Sequence, residues 1–316
     1  MKILVLGAAG FIGKNLAIKL SEFENNEITL VDRKLEYFDT LKEINLSNTE
    51  FKELNFDTDT DFDSILHDKE IVYHLISTTN VSNSNKKIAE EITDNVIATT
   101  KLLDACVRCK IKKVIFISSG GTVYGSNPNC PLNEDDQTYP ISSYGLQKIT
   151  IEKLLYLYKH TYGLNYKVIR LANPYGPYQS TNGTLGVITT FIYKSLKNDP
   201  IHIYGDGSIV RDFIYIDDAI NGILNITNDE SQFDTFNLGS GIGKSIKEIL
   251  ELIEDKLNMK PNIIFKPARL GDVPVNYLDI SRYEKLYGKA NLINLEEGIR
   301  RTAKYILLEN NLQKNK

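Results

Sequence analysis

The sequence predicts a doubly wound α/β fold: a parallel sheet, with a smaller second lobe interleaved toward the C-terminus. Three observations predict it. Short, β-branched apolar runs alternate with helical stretches through the first 170 residues. A glycine-punctuated turn joins the first of those runs to a helix. After Asn173 the texture changes to turns, short strands and isolated helices. The length of 316 residues suits two lobes or one large α/β unit. A composition 42% hydrophobic and 25% charged supplies a full core without disulfides or metals.

In order along the chain, residues 3–6, 28–31, 71–75, 114–117 and 168–171 read as strands buried on both faces. Between them, residues 15–23, 88–109 and 143–162 carry apolar residues at helical spacing. Beyond Asn173, the stretch Asn173-Pro174-Tyr175-Gly176-Pro177 and residues 183–186 are loop chemistry. Residues 187–197 form a helix, 201–207 a strand ending in a turn, 213–224 a strand and then a helix, and 244–257 a helix. This divides the chain into a dinucleotide-binding domain at 1–172, to which 210–240 returns, and a lobe at 173–316.

Charge and cysteine usage exclude several function classes. Lys plus Arg is 37 and Asp plus Glu is 41, so the net charge of −4 lacks the excess that drives nucleic-acid binding. Three cysteines (Cys106, Cys109 and Cys130) are too few and too odd for a secreted disulfide framework. Cys106 and Cys109 form a C-x-x-C inside a helical pattern, which reads as packing rather than zinc or redox chemistry. The four histidines, His67, His74, His160 and His202, lack metal-ligand spacing, so no metal is expected. His74 reads as a packing residue at a strand end. No apolar run approaches the ~18 residues of a membrane span, and the first six residues run straight into the glycine pattern. A cytoplasmic protein is expected.

The glycine turn is Gly7-Ala8-Ala9-Gly10-Phe11-Ile12-Gly13. Glycines there let the backbone turn tightly and approach a pyrophosphate, whose charge suits a helix N-terminus. A glycine triplet alone also fits an ordinary structural turn. Asp32, 19 residues past Gly13 at the end of the second strand, adds the second half of a Rossmann pattern. Its carboxylate can accept from adenosine ribose hydroxyls and would repel a 2′-phosphate, so NAD is favoured over NADP despite the adjacent Arg33.

Tyr144 and Lys148 lie four residues apart in a helical stretch and so share one face. A free phenol is a weak base, but a nearby ammonium and a cationic nicotinamide both favour the phenolate. Y-x-x-x-K alone is common in ordinary helices. Its setting after the glycine turn and after the strand ending Ser118-Ser119 makes it the catalytic candidate.

The turn is G-x-x-G-x-x-G rather than G-x-G-x-x-G. Further matches in order are His74-Leu75, Asn95, Ser118-Ser119, Val123-Tyr124-Gly125, Tyr144-x-x-x-Lys148, Arg170 and Asn173 to Pro177. Tyr204 to Gly207, Arg211-Asp212-Phe213 and Arg269-x-Gly271-Asp272 complete the series. On these motifs, nearly the whole chain resembles the extended short-chain dehydrogenase/reductase family, in its nucleotide-sugar epimerase and dehydratase branch. The resemblance implies a tightly bound NAD beside Phe11, Ile12, Leu75 and Ser118, with either Asn55 or Asp57, flanking Phe56, near the adenine. It implies that Lys148 also holds the nicotinamide ribose. The Ser or Thr that usually shares the substrate hydroxyl with the tyrosine falls at Gly120. Thr122, two residues on in an extended backbone, is expected to replace it, with Ser119 as the alternative. Gly121 and Thr122 stand where dehydratases carry an Asp-Glu pair, which argues against dehydration.

For the substrate, Arg211 and Arg269 have the forked donors that match a diphosphate. By resemblance Asn173 donates to the β-phosphate, Asp272 accepts from the nucleotide ribose, and Tyr204 meets the base. Ser77, Thr78 and Thr79 either lie close to the sugar and tune specificity, with Ser77 and Thr79 the substrate-binding candidates, or only satisfy local backbone groups. Helices 88–109 and 143–162 carry apolar residues on more than one face, and in the family they pair into a four-helix bundle. A homodimer is expected. The reaction implied is an NAD-dependent 4-epimerisation of a nucleotide sugar, on UDP-hexoses, by transient C4 oxidation and hydride return. A 4-dehydrogenase or 4-ketoreductase would use the same site, and a non-catalytic NAD-binding scaffold is the reading from another class.

Overall fold

The computed structural model describes residues 1–80, 83–127, 129–181, 186–269, 272–289 and 291–314. Residues 183–185 of the second-lobe loop and Gly271 of the Arg269-x-Gly271-Asp272 motif lie outside them.

The chain opens with β1 (Lys2–Leu6), α1 (Phe11–Ser21), β2 (Glu27–Asp32), a 3-10 turn (Leu35–Phe38), α2 (Asp39–Ile44) and β3 (Thr49–Glu53). Next come α3 (Phe62–Leu66), β4 (Ile71–His74) and α4 (Ile88–Ile92), which runs through a π-helical turn (Thr93–Ile97) into α5 (Ala98–Arg108). β5 (Lys113–Ser119), α6 (Ser143–Tyr162), β6 (Tyr166–Leu171), β7 (Asn173–Tyr175), α7 (Val187–Lys197), β8 (Ile201–Tyr204) and β9 (Val210–Tyr215) follow. The described chain closes with α8 (Ile216–Thr227), β10 (Thr235–Leu238), β11 (Gly243–Ser245), α9 (Ile246–Leu257), β12 (Ile263–Lys266), β13 (Val275–Asn276), α10 (Ser281–Tyr287) and α11 (Leu295–Lys314).

Seven strands form the main sheet in the order β10-β6-β5-β4-β1-β2-β3. β3, β2, β1, β4 and β5 pair in parallel, with Leu6 opposite Val31 on one side and His74 on the other. The order reverses direction between β1 and β4. In an open α/β sheet that reversal leaves a crevice at the carboxyl ends of the strands. Ile3, Leu4, Val5 and Leu6 are all fully buried, as expected of a strand covered on both faces. The core on one side of the sheet joins Leu4, Val72, Val114 and Phe116 to Leu102, Leu103 and Leu155. Cys106 belongs to that core, and burial pushes its thiol up, away from thiolate chemistry.

The chain divides into two compact units. The first is Met1–Gly125, Thr138–Arg170 and Ile223–Phe236; the second is Ser126–Gln137, Leu171–Gly222 and Asn237–Lys316. The stretch that returns to the first unit is thus shorter than 210–240, and a piece of the N-terminal half belongs to the second. That second unit carries a small sheet in which β9 pairs with β7, β11 and β13, and a parallel pair, β8 with β12.

Several boundaries differ from the sequence reading for identifiable reasons. α1 starts at Phe11, not at residue 15, because the glycine turn ends at Gly10 and Gly13 is already helical. It stops at Ser21, leaving Phe23 half exposed outside it. The segment 88–109 is not one regular helix. Asn95 sits in the π-helical turn, and its side chain donates to the Glu91 carbonyl (2.9 Å), which an α-helical ladder gives to the backbone. α9 begins at Ile246 because Ser245 caps it in a capping box with Glu248, placing Lys244 in β11.

Candidate active site

In the first unit a cleft of about 400 Å³ opens where the strand order reverses. Gly7, Ala9 and Gly10 line it after β1, Asp32 and Arg33 after β2, and Leu75, Ile76, Ser77 and Thr78 after β4, together with Tyr37 and Phe56. Gly7 adopts φ +83°, a conformation that disfavours any side chain. Gly13 does not line the cleft; it lets α1 lie against β1, because a Cβ there would meet the Gly7 carbonyl oxygen at 2.3 Å. Gly13→Ala should therefore cost about 1–3 kcal/mol, the usual range for overpacking. It should also weaken dinucleotide binding by displacing the turn. A thermal scan with and without NAD reads both effects.

Asp32 holds the turn from the other side: its Oδ2 accepts from the Ala9 N–H at 3.0 Å, and its Oδ1 from the Arg33 N–H at 2.8 Å. A carboxylate fixed at the rim of this cleft suits ribose hydroxyls. Of the adenine candidates, Phe56 lines the cleft but Asn55 and Asp57 do not. Asp57 Oδ1 is taken by the Thr60 hydroxyl and the Asp59 N–H in a local turn, and the Asn55 carbonyl also accepts from Thr60. Phe11 and Ile12 form the first turn of α1 and are likewise outside the lining. Sequence reasoning missed Tyr37, whose ring is part of the cleft wall; its only signal was a position five residues past Asp32.

α6 is as the spacing predicted, started by the Ser142 side chain accepting from Gly145 N. It carries Tyr144 and Lys148 on one face, with the Lys148 ammonium 5.7 Å from the Tyr144 ring centroid and 4.7 Å from that of Phe116. Lys148 is buried and donates to the Ile117 carbonyl at 2.8 Å. Burial lowers its pKa to about 8, against a smaller upward pull from Glu152. Burial pushes the Tyr144 phenol up to about 12, and a hydrogen bond with the Ser119 side chain offsets part of that rise. The lowered phenol expected from the sequence is thus absent from the protein alone. It requires a further positive charge than Lys148 supplies.

The hydroxyl beside the tyrosine is that of Ser119, not Thr122. The expectation for Thr122 assumed extended backbone, but residues 120–123 form a turn in which Thr122 N and Val123 N bond back to the Ser119 carbonyl. The Thr122 hydroxyl is buried without a hydrogen-bond partner. Ser118 is not among the residues lining the cleft, and its hydroxyl donates to Glu152 Oε1 at 2.5 Å. Ser77 and Thr79 are also otherwise engaged. Ser77 donates to the Thr79 carbonyl (2.8 Å) and the Thr79 hydroxyl to Gln147 Oε1 (3.0 Å), so each hydroxyl hydrogen is used within the protein, while Ser77 also lines the cleft. His74 is the packing residue expected, between Phe56 and Phe116, and burial lowers its pKa to about 3.

Lys148 gives a pH prediction. A lysine depressed from 10.5 to about 8 binds fewer protons folded than unfolded between those values, so its burial costs most below pH 8. That cost fades as pH rises through the window. Side-chain NMR of the cofactor-free protein should show one lysine titrating near pH 8 and lost in Lys148→Met.

The second unit gathers the polar candidates of its own. The Arg269 guanidinium lies 3.7 Å over the Tyr204 ring centroid, and its hydrogen bond to the phenol lowers the tyrosine pKa. Arg211 is held by donation to its neighbour's carbonyl, Val210 O, at 2.7 Å. Burial lowers its pKa while the Asp272 carboxylate pulls it back up. Asn173 uses one amide hydrogen on the Asp212 carbonyl (2.7 Å). Asp212, which sequence reasoning gave no role, anchors this region: its carboxylate accepts from Ser240, Gly241 and Leu278 backbone N–H groups. Among the described residues no group of His, Cys, Asp or Glu is placed to hold a metal ion.

A sheet reversing at β1 and β4, a glycine turn held by the Asp32 carboxylate and a Tyr–Lys pair on one helix face together define the frame of a dinucleotide-dependent enzyme. The chain belongs to the NAD-dependent epimerase/dehydratase family, whose model matches residues 3–239. It is 32% identical over 308 residues to a UDP-glucose 4-epimerase of Mycolicibacterium smegmatis, covering 96% of this chain and 98% of that one. Its structure resembles that of a UDP-glucose 4-epimerase from Thermotoga maritima solved with UDP-glucose. The TM-score is 0.89 at 33% identity, over 99% of this chain and 100% of the other. A UDP-glucuronic acid 4-epimerase from Bacillus cereus, solved with UDP-glucuronic acid and NAD, matches with TM-score 0.89 at 28% identity. That match covers 98% of this chain and all of the other.

Proposed function

We propose that this protein is an NAD-dependent nucleotide-sugar 4-epimerase acting on a UDP-hexose. The observation that carries the reading is the Ser119–Tyr144–Lys148 arrangement at one end of β5 and α6, in a chain that is similar over nearly its whole length to several proteins named UDP-sugar 4-epimerases. The cleft fits NAD: glycine backbone allows close approach, and Asp32 stands where ribose hydroxyls would come. Bound there, NAD supplies the hydride acceptor and donor that an epimerisation without net redox requires.

The chain's own residues do the rest. Tyr144 takes the proton from the sugar C4 hydroxyl at its phenol oxygen and later returns it. Ser119 orients that phenol, and the Lys148 ammonium favours its deprotonated form. Arg211 and Arg269 bind the diphosphate, with Asn173 donating to the phosphate beside the sugar. Asp272 accepts from the nucleotide ribose, and Tyr204 lies against the base. Exposed Ile88, Ile97, Leu146, Tyr156, Leu157 and Tyr162 on the helices of the first unit support a homodimer. Light scattering at micromolar concentration should give twice the 35.8 kDa chain mass; the monomer mass would reject the dimer. The same reading places the enzyme in the cytoplasm, in carbohydrate metabolism. Among the described residues no helix is long and apolar enough to cross a membrane.

The test is purified protein without added cofactor, incubated with UDP-galactose and separately with UDP-N-acetylgalactosamine and followed by proton NMR. The C4 epimer of either sugar is expected. No epimer from either would overturn the self-contained cycle and favour net oxidation or reduction at the same site.

A further inference from the structure

The residue immediately before Lys148 has no role in the reaction described so far, yet it is among the most fully bonded side chains of the first unit. Gln147 is 2% exposed, in a polar cluster with Thr79, Glu91 and Ser143, each less than a tenth exposed. Its Oε1 accepts from the Thr79 hydroxyl (3.0 Å), while its Nε2 donates to Glu91 Oε2 (3.2 Å) and to Ser143 Oγ (2.9 Å). A glutamine amide has two donor hydrogens, and both are used. The orientation of the amide is fixed chemically, because Glu91 accepts and Thr79 must donate. A nearby bond also ties α6 to the chain beyond β4, Ser143 N donating to Asn85 Oδ1 (2.6 Å), while Thr78 exchanges two bonds with Asn95 of the π-helical turn.

We propose that Gln147 is a positioning residue that locks the chain leaving β4 to the turn of α6 bearing Tyr144 and Lys148. This rests on the epimerase reading above and extends it. The chain leaving β4 forms one wall of the NAD cleft through Leu75, Ile76, Ser77 and Thr78, and Thr79 follows directly. Gln147 stands three residues after Tyr144 and one before Lys148, so it shares the helical turn on which the phenol and ammonium are mounted. A rigid connection between the cleft wall and that turn fixes the phenol oxygen relative to a bound dinucleotide. Errors near 1 Å in such a distance cost large factors in rate without weakening ground-state binding. A cluster buried this completely is costly unless every member is bonded. Removing one member should therefore release the others together.

The test is a double-mutant cycle with Thr79→Val, Gln147→Met and the pair, with Thr79→Ser as the conservative control. Each single change is expected to lower kcat about tenfold for UDP-hexose epimerisation, by misplacement rather than loss of a reacting group. KM and the NAD Kd should stay within about twofold, and the double variant should be no worse than the singles, as for residues acting as one unit. Thr79→Ser should restore wild-type kcat. Amide hydrogen exchange supplies a readout that needs no turnover: residues 77–80 and 143–148 should exchange faster, and to the same extent, in both single variants. Multiplying losses in the double variant, or a lower melting temperature with unchanged kcat and exchange, would overturn the proposal. If the wild type epimerises no UDP-hexose, the functional reading fails, and coupled exchange still decides the lock. Should Gln147→Met fail to fold, Thr79→Val against Thr79→Ser decides by itself.

Discussion

Tyr144→Phe is expected to lower kcat for 4-epimerisation by about 10²–10⁴-fold, the usual worth of a positioned acid–base group, while NAD binding stays within about twofold. The fold should tolerate it, because the ring stays in place and only the hydroxyl paired with Ser119 is removed. The effect is large because, among the described residues, neither His74 nor Ser119 is placed to do the same work. His74 is buried against Phe56 and Phe116 with its pKa lowered to about 3, and the Ser119 hydroxyl is itself a partner of the phenol. In the protein alone the phenol is held near 12 and Lys148 near 8, so burial drives both groups toward neutrality. The positive charge of the oxidised cofactor is what would tip the phenol back. Absorbance of the tyrosinate should therefore appear at lower pH when NAD is added, and not in Tyr144→Phe. Ser119→Ala should cost about tenfold in kcat, the loss of one hydrogen bond to a reacting group, whereas Thr122→Val should be close to wild type. A Thr122→Val variant as damaged as Ser119→Ala would reverse that assignment.

What the sequence made legible is whatever local chemistry decides. The glycine turn, Asp32 and the Tyr144–Lys148 face follow from backbone conformation and helical spacing, and the structure has each where spacing put it. β3 was not legible, because its residues Thr49, Glu50, Phe51, Lys52 and Glu53 are half-buried or exposed, as suits an edge strand, and form no apolar run. The π-helical turn was hidden for another reason: within it Asn95 bonds Thr78, 17 residues away in sequence, and apolar periodicity carries no trace of that contact. The same limit separates residues that look alike. Ser118 and Ser119 are adjacent hydroxyls, yet one bonds Glu152 and the other Tyr144, since neighbours on a strand point to opposite faces. Alternation was the right instrument for that pair. It failed for Thr122 because the strand ends at Ser119 and a turn follows.

The largest loss of stability is expected from Glu152→Gln. Glu152 and Arg170 form an ion pair at 2.7 Å with both side chains 5% exposed, and the carboxylate also accepts from Ser118 while the guanidinium reaches the Tyr124 hydroxyl at 3.0 Å. Removing the carboxylate charge leaves a buried guanidinium without its counter-ion, a change that costs about 3–5 kcal/mol in other buried pairs. In a domain of this size that is a fall in melting temperature of roughly 10 °C. The desolvation of both ions is nonetheless a cost already present in the native protein. Replacing the pair by Glu152→Leu with Arg170→Met should therefore recover most of the loss, which an account based on pairwise attraction alone would not allow. Function gives the pair a second measurable consequence. Glu152 lies one helical turn beyond Lys148 and opposes the fall of its pKa. In Glu152→Gln the Lys148 titration should consequently move below its wild-type position near pH 8. The alkaline limb of kcat should move with it, so that activity falls at lower pH even where the variant remains folded. If the titration stays put while the melting temperature falls, the pair serves the fold alone, and the charge on Lys148 is governed by burial and its bond to Ile117.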